Sequence, residues 1–398
     1  MLLAAALAWT GIILVWLSLL WQQQRLRRES LALPPAPDAA DLGDDDTVTI
    51  IIPTRNAAAD ILPCLDAVFA QDTERLRVIV VDDRSDDDTP AVLARCREQH
   101  PALEIQPIDT LPEGWLGKSH ALAHAAASAT TPWLLFIDDD CILDPAAVRT
   151  AVLEAGRRHA DLLSLFPRHA GRTHWEHLII PLCAGIIALW FGDGRATDRL
   201  RRPMANGQFL LIRRATYDAI GGHTAVRTRL IEDIALAEQV HAQGGTIVIA
   251  SGVHLVAVRM YTGFRTAWNG WARIFAGGLR RGPLLAASIL WLLLGSLLPF
   301  ITLPLTLVMP PGPARTLLLS LSLIHLIAMG VVSARFWRMG ACPRRYLLAY
   351  PLSVLLVTGI LLHAWWWLVV RRRITWRGVH YRIDRHARIQ PAPLRPNG

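Results

Sequence analysis

Pro132 to Asp144 reads PWLLFIDDDCILD, an apolar run that delivers Asp138, Asp139 and Asp140 and is followed by Pro145. Trp133 to Ile137 is short, unbroken and bounded by turn-forming and acidic residues, the pattern of a strand covered on both faces in a parallel sheet. In open α/β sheets ligands bind at the carboxyl ends of strands, so the triplet stands where chemistry is done. Three adjacent carboxylates repel one another unless a cation is shared among them, and hard oxygen donors favour Mg2+ or Mn2+. A metal holding a diphosphate is the guest this chemistry implies. The competing reading is a helix start, because acids are stabilised there and Asp144-Pro145 has the form of an N-cap followed by proline.

The flanking sequence repeats the strand pattern. Val48 to Ile52 is β-branched and stopped by Pro53, Leu76 to Val81 ends in Asp82-Asp83, and Leu103 to Ile105 is a third strand. Helix-like stretches, Ala58 to Ala70, Thr89 to Gln99 and Ser119 to Ser128, lie between them. This alternation predicts an α/β, Rossmann-like parallel sheet with helices on both faces and both acid clusters at one carboxyl edge. Further on, Phe209 to Ile212, Thr246 to Ala250 and His254 to Val258 read as strands, and Glu232 to Gln243 as a helix.

The 398 residues carry 52% hydrophobic residues and a mean hydropathy of +0.30, enough for a sizeable domain plus membrane segments. Met1 to Trp21 is uncharged and followed by Arg25, Arg27 and Arg28. With no small-residue cleavage site, residues 1–22 read as an uncleaved anchor, and 23–46 as a flexible linker rich in Pro, Ala and Asp. The catalytic domain is expected over 47–258 and an interfacial helix over 259–283. Spans are expected at 284–309, 316–334 and 346–370, with a turn at Pro310 to Pro313 and a basic tail from 371 to 398. Trp175 to Phe191 is apolar but short and broken by Pro181, so it reads as interfacial, re-entrant or a buried core helix. The net charge of +8 gathers at the flanks of apolar segments, which favours positive-inside anchoring over nucleic-acid binding. One conflict stands: a single crossing by Tyr346 to Val370 puts the basic tail on the wrong side for that rule. Five scattered cysteines form neither a disulfide framework nor a zinc spacing, as suits a cytoplasmic domain at a bacterial inner membrane. The histidine pairs and clusters, such as His120 with His124 and His169 with His174 and His177, lack a companion at metal-ligand spacing.

Four motifs then carry a resemblance. Ile51-Ile52-Pro53-Thr54-Arg55-Asn56, Val80 to Asp87 with Thr89, Phe136 to Asp140, and Ile231-Glu232-Asp233 resemble, in order, the signatures of family 2 glycosyltransferases of the GT-A fold. Gly114-Trp115-Leu116-Gly117-Lys118, Asn206-Gly207-Gln208-Phe209, Gly221-Gly222 and Gly263-Phe264 with Trp268 to Trp271 are similar to the hopene-associated glycosyltransferases, and more distantly to ceramide glucosyltransferases. The resemblance implies a metal-dependent, inverting enzyme moving a sugar from a UDP- or GDP-sugar to a membrane lipid, a hopanoid or other isoprenoid or sphingolipid-like acceptor. Asp140 with Asp138 then holds the metal, and Pro53, Arg55, Asn56, Asp82, Asp83, Lys118 and Asp139 line the donor. Asp233 is the candidate general base, Glu232 its support, and Asn206 and Gln208 the acceptor mouth. Each has a plainer reading: helix capping for Glu232 and Asp233, turn chemistry for Asp82 and Asp83, solvation for Lys118.

Two departures stand out. Where relatives carry a Q/R-x-x-R-W string this chain has Trp268-Asn269-Gly270-Trp271-Ala272-Arg273, so Trp268, Trp271 and Arg273 are only its positional counterparts. Where an acid follows the first motif in relatives, Ala57 to Ala59 stand here. A polysaccharide synthase and a non-catalytic membrane scaffold are the alternatives; few spans and the missing string speak against the first, and the retained acid clusters against the second.

Overall fold

The computed structural model describes residues 2–28, 33, 42–43, 46–191, 203–339, 342–376, 379–384 and 387–391. The segment expected to be a linker lies largely outside them. Two compact units result: one of Leu31–Ala170, Trp190–Met260 and Arg372–Gly398, the other of Met1–Ser30, Gly171–Leu189 and Tyr261–Arg371.

The first unit is built on β1 (Val48–Thr54), β2 (Leu76–Asp83), β3 (Leu103–Ile108), β4 (Trp133–Phe136), β5 (Cys141–Leu143), β6 (Leu162–His169), β7 (Leu210–Arg213) and β8 (Ile247–Val258), in the order β3-β2-β1-β4-β7-β6-β8-β5. Side chains alternate across a strand, so the same strands feed two cores. Ile50, Ile52, Val78, Val80 and Leu135 meet Ile61, Leu65, Val92, Leu93, Val148 and Val152 on one face. Ile51, Ile79, Val81, Leu134 and Phe136 meet Ala121, Leu122, Ala125, Leu236 and Val240 on the other. Strands so covered expose no polar face, which explains their unbroken apolar sequence.

The β3-β2-β1-β4 half is parallel, as its strand–helix alternation predicts. The remainder departs from an all-parallel sheet: β7 runs antiparallel to β4 and β6, and β5 antiparallel to β8. β5 and β6 are strands that the sequence reading passed over. Cys141–Leu143 follows the acids directly, and the next helix begins only at Ala147, after a turn in which the Asp144 side chain accepts the Ala146 N–H at 3.1 Å. The two strands expected at 246–250 and 254–258 are one, β8, whose partner β6 absorbs an irregularity at Pro167/Arg168. The tail, expected only to be basic, forms a second sheet of β9 (Arg373–Trp376), β10 (Val379–Ile383) and β11 (Ile389–Pro391).

The second unit is helical, and five helices among the described residues are long and apolar enough to cross a membrane. The helix Pro313–Met339 packs on Leu2–Arg28 and on Leu298–Val308. Between Gly282–Leu292 and Leu298–Val308 the chain makes a π-helical turn, Leu293–Leu297. Such a turn frees carbonyls that an apolar medium cannot satisfy. Here the Gly295 carbonyl accepts from Trp16 Nε1 at 2.6 Å and His325 Nε2 at 3.0 Å, while His325 Nδ1 accepts Trp9 Nε1–H at 3.0 Å. The expected interfacial helix is Phe264–Leu279, which packs on Tyr350–Trp365 and Gly282–Leu292. His174–Phe191 buries Ile179, Ile180, Cys183 and Ile186.

One backbone position near the acid edge allows a clean test. Gly222 has φ +50°, and a Cβ there would lie 2.5 Å from the Tyr217 ring. Gly222→Ala should cost about 2 kcal/mol or more, lowering the unfolding midpoint of the purified protein by roughly 5 °C; an unchanged midpoint contradicts this packing.

Candidate active site

The register of the parallel half sets the site. Thr54 lies opposite Asp82, and the Ile137 N–H bonds to Ile51 O at 3.2 Å, so β1, β2 and β4 end together. Thr54 Oγ1 then donates to Asp139 at 3.0 Å. Antiparallel β7, with Leu210 opposite Phe136, brings its own start, and with it Asn206-Gly207-Gln208, to the same edge. The helix Glu232–Ala242 opens beside it, its first-turn acids favoured by the dipole.

Lys118, in the first turn of Gly117–Ser128, joins these pieces. Its ammonium lies 2.6 Å from Asp138 Oδ1 and 2.7 Å from Glu232 Oε1. Burial alone would lower its pKa, but Asp138 and Glu232 outweigh it and hold the amine well above the ordinary lysine value. Expected at phosphate, Lys118 is in this structure the cation that pairs a strand-end acid with a helix-start acid. Asp233 Oδ2 accepts the Gly207 N–H at 2.6 Å and Oδ1 the Ile234 N–H at 2.6 Å. Burial, and then Glu232, push its carboxyl up to about 7. Gly207 is required by closeness: a Cβ there would sit 3.1 Å from Asp233 and 3.3 Å from Lys118.

Asp140 has a different environment. Among the described residues its side chain receives the weak Cys141 thiol, at 3.9 Å. Burial, followed by Asp138 and Asp139, pushes it up to about 8. No group of three or more His, Cys, Asp and Glu among the described residues forms a closed metal cage. Mg2+ and Mn2+ in phosphate-handling sites use one or two carboxylates, waters and the substrate's own oxygens, so Asp140 with Asp138 fits that kind of open site.

The first two motifs interlock. Asn56, at φ +52°, donates from Nδ2 to Asp86 at 2.5 Å and accepts the Asp86 N–H at 2.9 Å. Its amide is thus committed to shaping the loop. Where relatives carry an acid, the Ala57 N–H is taken by Thr89 Oγ1 at 2.8 Å and the Ala58 N–H by Asp87 at 3.3 Å. Asp83 is gripped by Arg84 at 2.7 and 3.0 Å, and Asp82 accepts the Ser85 N–H at 3.3 Å. Asp83 also explains Gly117, since a Cβ there would fall 2.4 Å from its Oδ2. Pro53 and Arg55 complete the end of β1, Pro53 buried and Arg55 half-buried.

Asn206 and Gln208 bond to each other, Nδ2 to Oε1 at 3.1 Å, and the buried Gln208 Nε2 finds no partner among the described residues. Trp268, Trp271 and Arg273 belong to the helical unit. Trp268 Nε1 donates to His363 Nδ1 at 2.9 Å, and Trp271 is buried. Sequence reading missed His223 and Tyr217. Buried His223 lines one small cavity with Lys118, Glu232 and Asp233, and its Nδ1 lies 2.9 Å from the Tyr217 hydroxyl. Burial pushes its pKa down to about 3, so it is neutral. The Gly221-Gly222 pair that orients it was the only signal.

Replacing Lys118 by Ala leaves Asp138 and Glu232 facing each other with no cation, so kcat/KM should fall by about a hundredfold or more. A Lys118→Ala enzyme with wild-type kinetics contradicts the bridging role.

Comparison with known proteins bears on the family and the fold. Residues 49–232 match the glycosyl transferase family 2 domain. The chain is 26% identical over 348 residues to the 4,4'-diaponeurosporenoate glycosyltransferase of Staphylococcus aureus strain USA300, spanning 85% of this chain and 89% of the relative. The counterpart from strain bovine RF122 is 27% identical over 352 residues, with the same coverage. Among solved structures, a mannosyltransferase from Pyrobaculum calidifontis in complex with GDP-Man and Mn2+ superposes with a TM-score of 0.53 at 21% identity, covering 92% of this chain and 97% of that one. The sheet is thus a GT-A-like, mixed α/β, Rossmann-like sheet. The acid edge is thus carried largely by a segment that matches the glycosyl transferase family 2 domain, and this match with the glycosyltransferase relatives supports an enzyme of that class.

Proposed function

We propose that the enzyme moves a sugar, with inversion, from a UDP- or GDP-sugar to a hydroxyl of an isoprenoid-type membrane lipid, using Mg2+ or Mn2+. The observation that carries the reading is the array at one sheet edge, in which Asp138, Glu232 and Lys118 are paired while Asp140 and Asp233 are left with raised pKa values. Helices of spanning length and S. aureus relatives named for a 4,4'-diaponeurosporenoate acceptor support a lipid substrate.

In this reading Asp82 and Asp83 hold the nucleoside, and Asp140 with Asp138 holds the cation. When bound, that cation neutralises the developing diphosphate charge. Asp233 takes the proton of the acceptor hydroxyl. Two backbone N–H groups fix its carboxylate, and its value near 7 suits a base working at neutral pH. Lys118 holds Glu232 in place beside it. Gln208 Nε2, a buried donor without a partner among the described residues, is available to the acceptor oxygen.

The connectivity also supports a membrane arrangement. The chain leaves the sheet unit after Ala170 and after Met260, and re-enters it at Trp190 and Arg372. A chain that starts and ends on one side crosses a bilayer an even number of times. His174–Phe191 then does not cross, Gly282–Val308 and Pro313–Arg338 cross as a pair, and Arg344–Arg371 dips in without crossing. Arg335 to Arg345 and the tail then share the side of the sheet unit, which removes the conflict with the positive-inside rule.

With Mn2+ and a bacterial lipid extract, the purified enzyme should carry label from at least one UDP- or GDP-sugar into the lipid fraction; no transfer across the panel sinks the proposal. Because only the Asp233 carboxylate accepts a proton, kcat/KM should rise as pH increases through about 7 and then level off. A flat profile from about pH 5 to 9, or an Asp233→Asn enzyme with normal turnover, rules Asp233 out as the base. For the membrane arrangement, Gly312→Cys should react with an impermeant thiol reagent in intact cells and Gln390→Cys only after permeabilisation. Labelling of Gln390→Cys from outside contradicts it.

A further inference from the structure

The loop 227–230, which leads into Ile231-Glu232-Asp233, lies outside the eight-stranded sheet, yet its backbone is gripped from two sides. Two adjacent carbonyls take the bonds: Arg227 O accepts the Leu116 N–H at 3.1 Å, and Thr228 O accepts the Ile389 N–H at 2.9 Å. Leu116 precedes the Gly117-Lys118 turn, and Ile389 begins β11, an edge strand of the tail sheet. The next residue, Arg229, pairs with Arg388 as an antiparallel bridge and sends its guanidinium to Glu238 Oε2 at 2.9 Å. Glu238 lies on the helix that Glu232 and Asp233 open. One residue thus joins the tail to that helix.

The tail that makes this contact is itself a packed structure, with Ile374, Tyr381, Ile383 and Ile389 buried. Asp384 fixes the approach of Arg388: its N–H donates to Arg388 O at 2.9 Å, its Oδ1 accepts the Arg388 N–H at 2.8 Å, and its carbonyl accepts the Ala387 N–H at 3.1 Å. Ile383 and Ile389 stand opposite each other in the β10–β11 pair, and both amides turn away from it, Ile383 to Arg372 O at 3.0 Å and Ile389 to Thr228 O. The Ile389 N–H therefore makes no bond of the tail sheet. It serves the loop.

We propose that the C-terminal sheet is a brace for the start of the helix Glu232–Ala242, with Ile389 the positioning residue whose N–H sets the loop 227–230 and through it the place of Asp233. The brace rests on the reading of Asp233 as the base. A carboxylate in the first turn of a helix moves with the residues that lead into that turn, and a base slightly displaced from the reacting hydroxyl loses rate. None of the groups assigned to the nucleoside or the cation lies on the loop. The brace therefore governs the chemical step and leaves donor binding alone.

The test compares Ile389→Pro with Ile389→Val in the full-length, detergent-purified enzyme. The two new side chains are of similar size, but proline removes the N–H. Ile389→Pro should lower kcat by about tenfold, with donor KM and the binding of UDP or GDP in Mn2+ within about twofold of wild type. Ile389→Val, which keeps the N–H, should hold kcat within about twofold. In the wild type, hydrogen exchange read by mass spectrometry should show peptides over 226–231 and 387–391 opening together at one rate, a readout that stands even where Ile389→Pro does not fold. With Asp233→Asn inactive, wild-type kcat in Ile389→Pro, an equal loss in Ile389→Val, or a tail that exchanges far faster than the loop overturns the brace alone. An Asp233→Asn enzyme with normal turnover overturns the base reading and the brace together.

Discussion

A single ammonium group ties the acid edge of the sheet together. Lys118 lies within 3 Å of both Asp138 and Glu232, and those two acids come from a strand end and a helix start that share no hydrogen-bonded ladder. Two unit charges at that separation in a poorly solvated site attract by several kcal/mol before desolvation is subtracted. The surrounding glycines follow from this. Gly117 lets the lysine turn approach Asp83, and Gly207 lets the β7 loop approach both Lys118 and Asp233. A side chain at either position would push the lysine and the acids apart.

The same edge stores electrostatic tension. Asp140 and Asp233 hold their protons more tightly in the folded protein than in the unfolded chain, because burial and neighbouring carboxylates disfavour their charge. Their contribution to stability is fully present below the ordinary carboxylate range and is lost as pH rises through about 7 and 8. A fold tuned for stability alone would neutralise these acids as it neutralises Asp138. Leaving them uncompensated at the mouth of a parallel sheet makes sense where a ligand supplies the missing charge and a proton has to move.

Much of this was legible in the sequence, for identifiable reasons. β1, β4 and the Val78–Val81 stretch of β2 are β-branched or apolar because they are covered on both faces, and each leads into the residues it delivers, which makes both strand and site readable from one local pattern. β5 was hidden because three residues after an acid triplet mimic a helix cap, and β6 because Ser164 and Pro167 interrupt its apolar run. Lys118 was visible as a phosphate binder but not as a bridge, since its partners lie 20 and 114 positions away in the chain. His223 is a buried polar residue placed by long-range packing, and the Gly221-Gly222 pair beside it was its only local sign.

The most direct test is a Mn2+ titration followed by electron paramagnetic resonance, with and without UDP or GDP, on the wild type and on Asp140→Ala. If the acid edge is a donor site completed by a cation, one nucleoside diphosphate will sharply tighten Mn2+ binding to the wild type, and Asp140→Ala will lose that gain while remaining folded. Mn2+ binding indifferent to both nucleotides, or unchanged in Asp140→Ala, would contradict it.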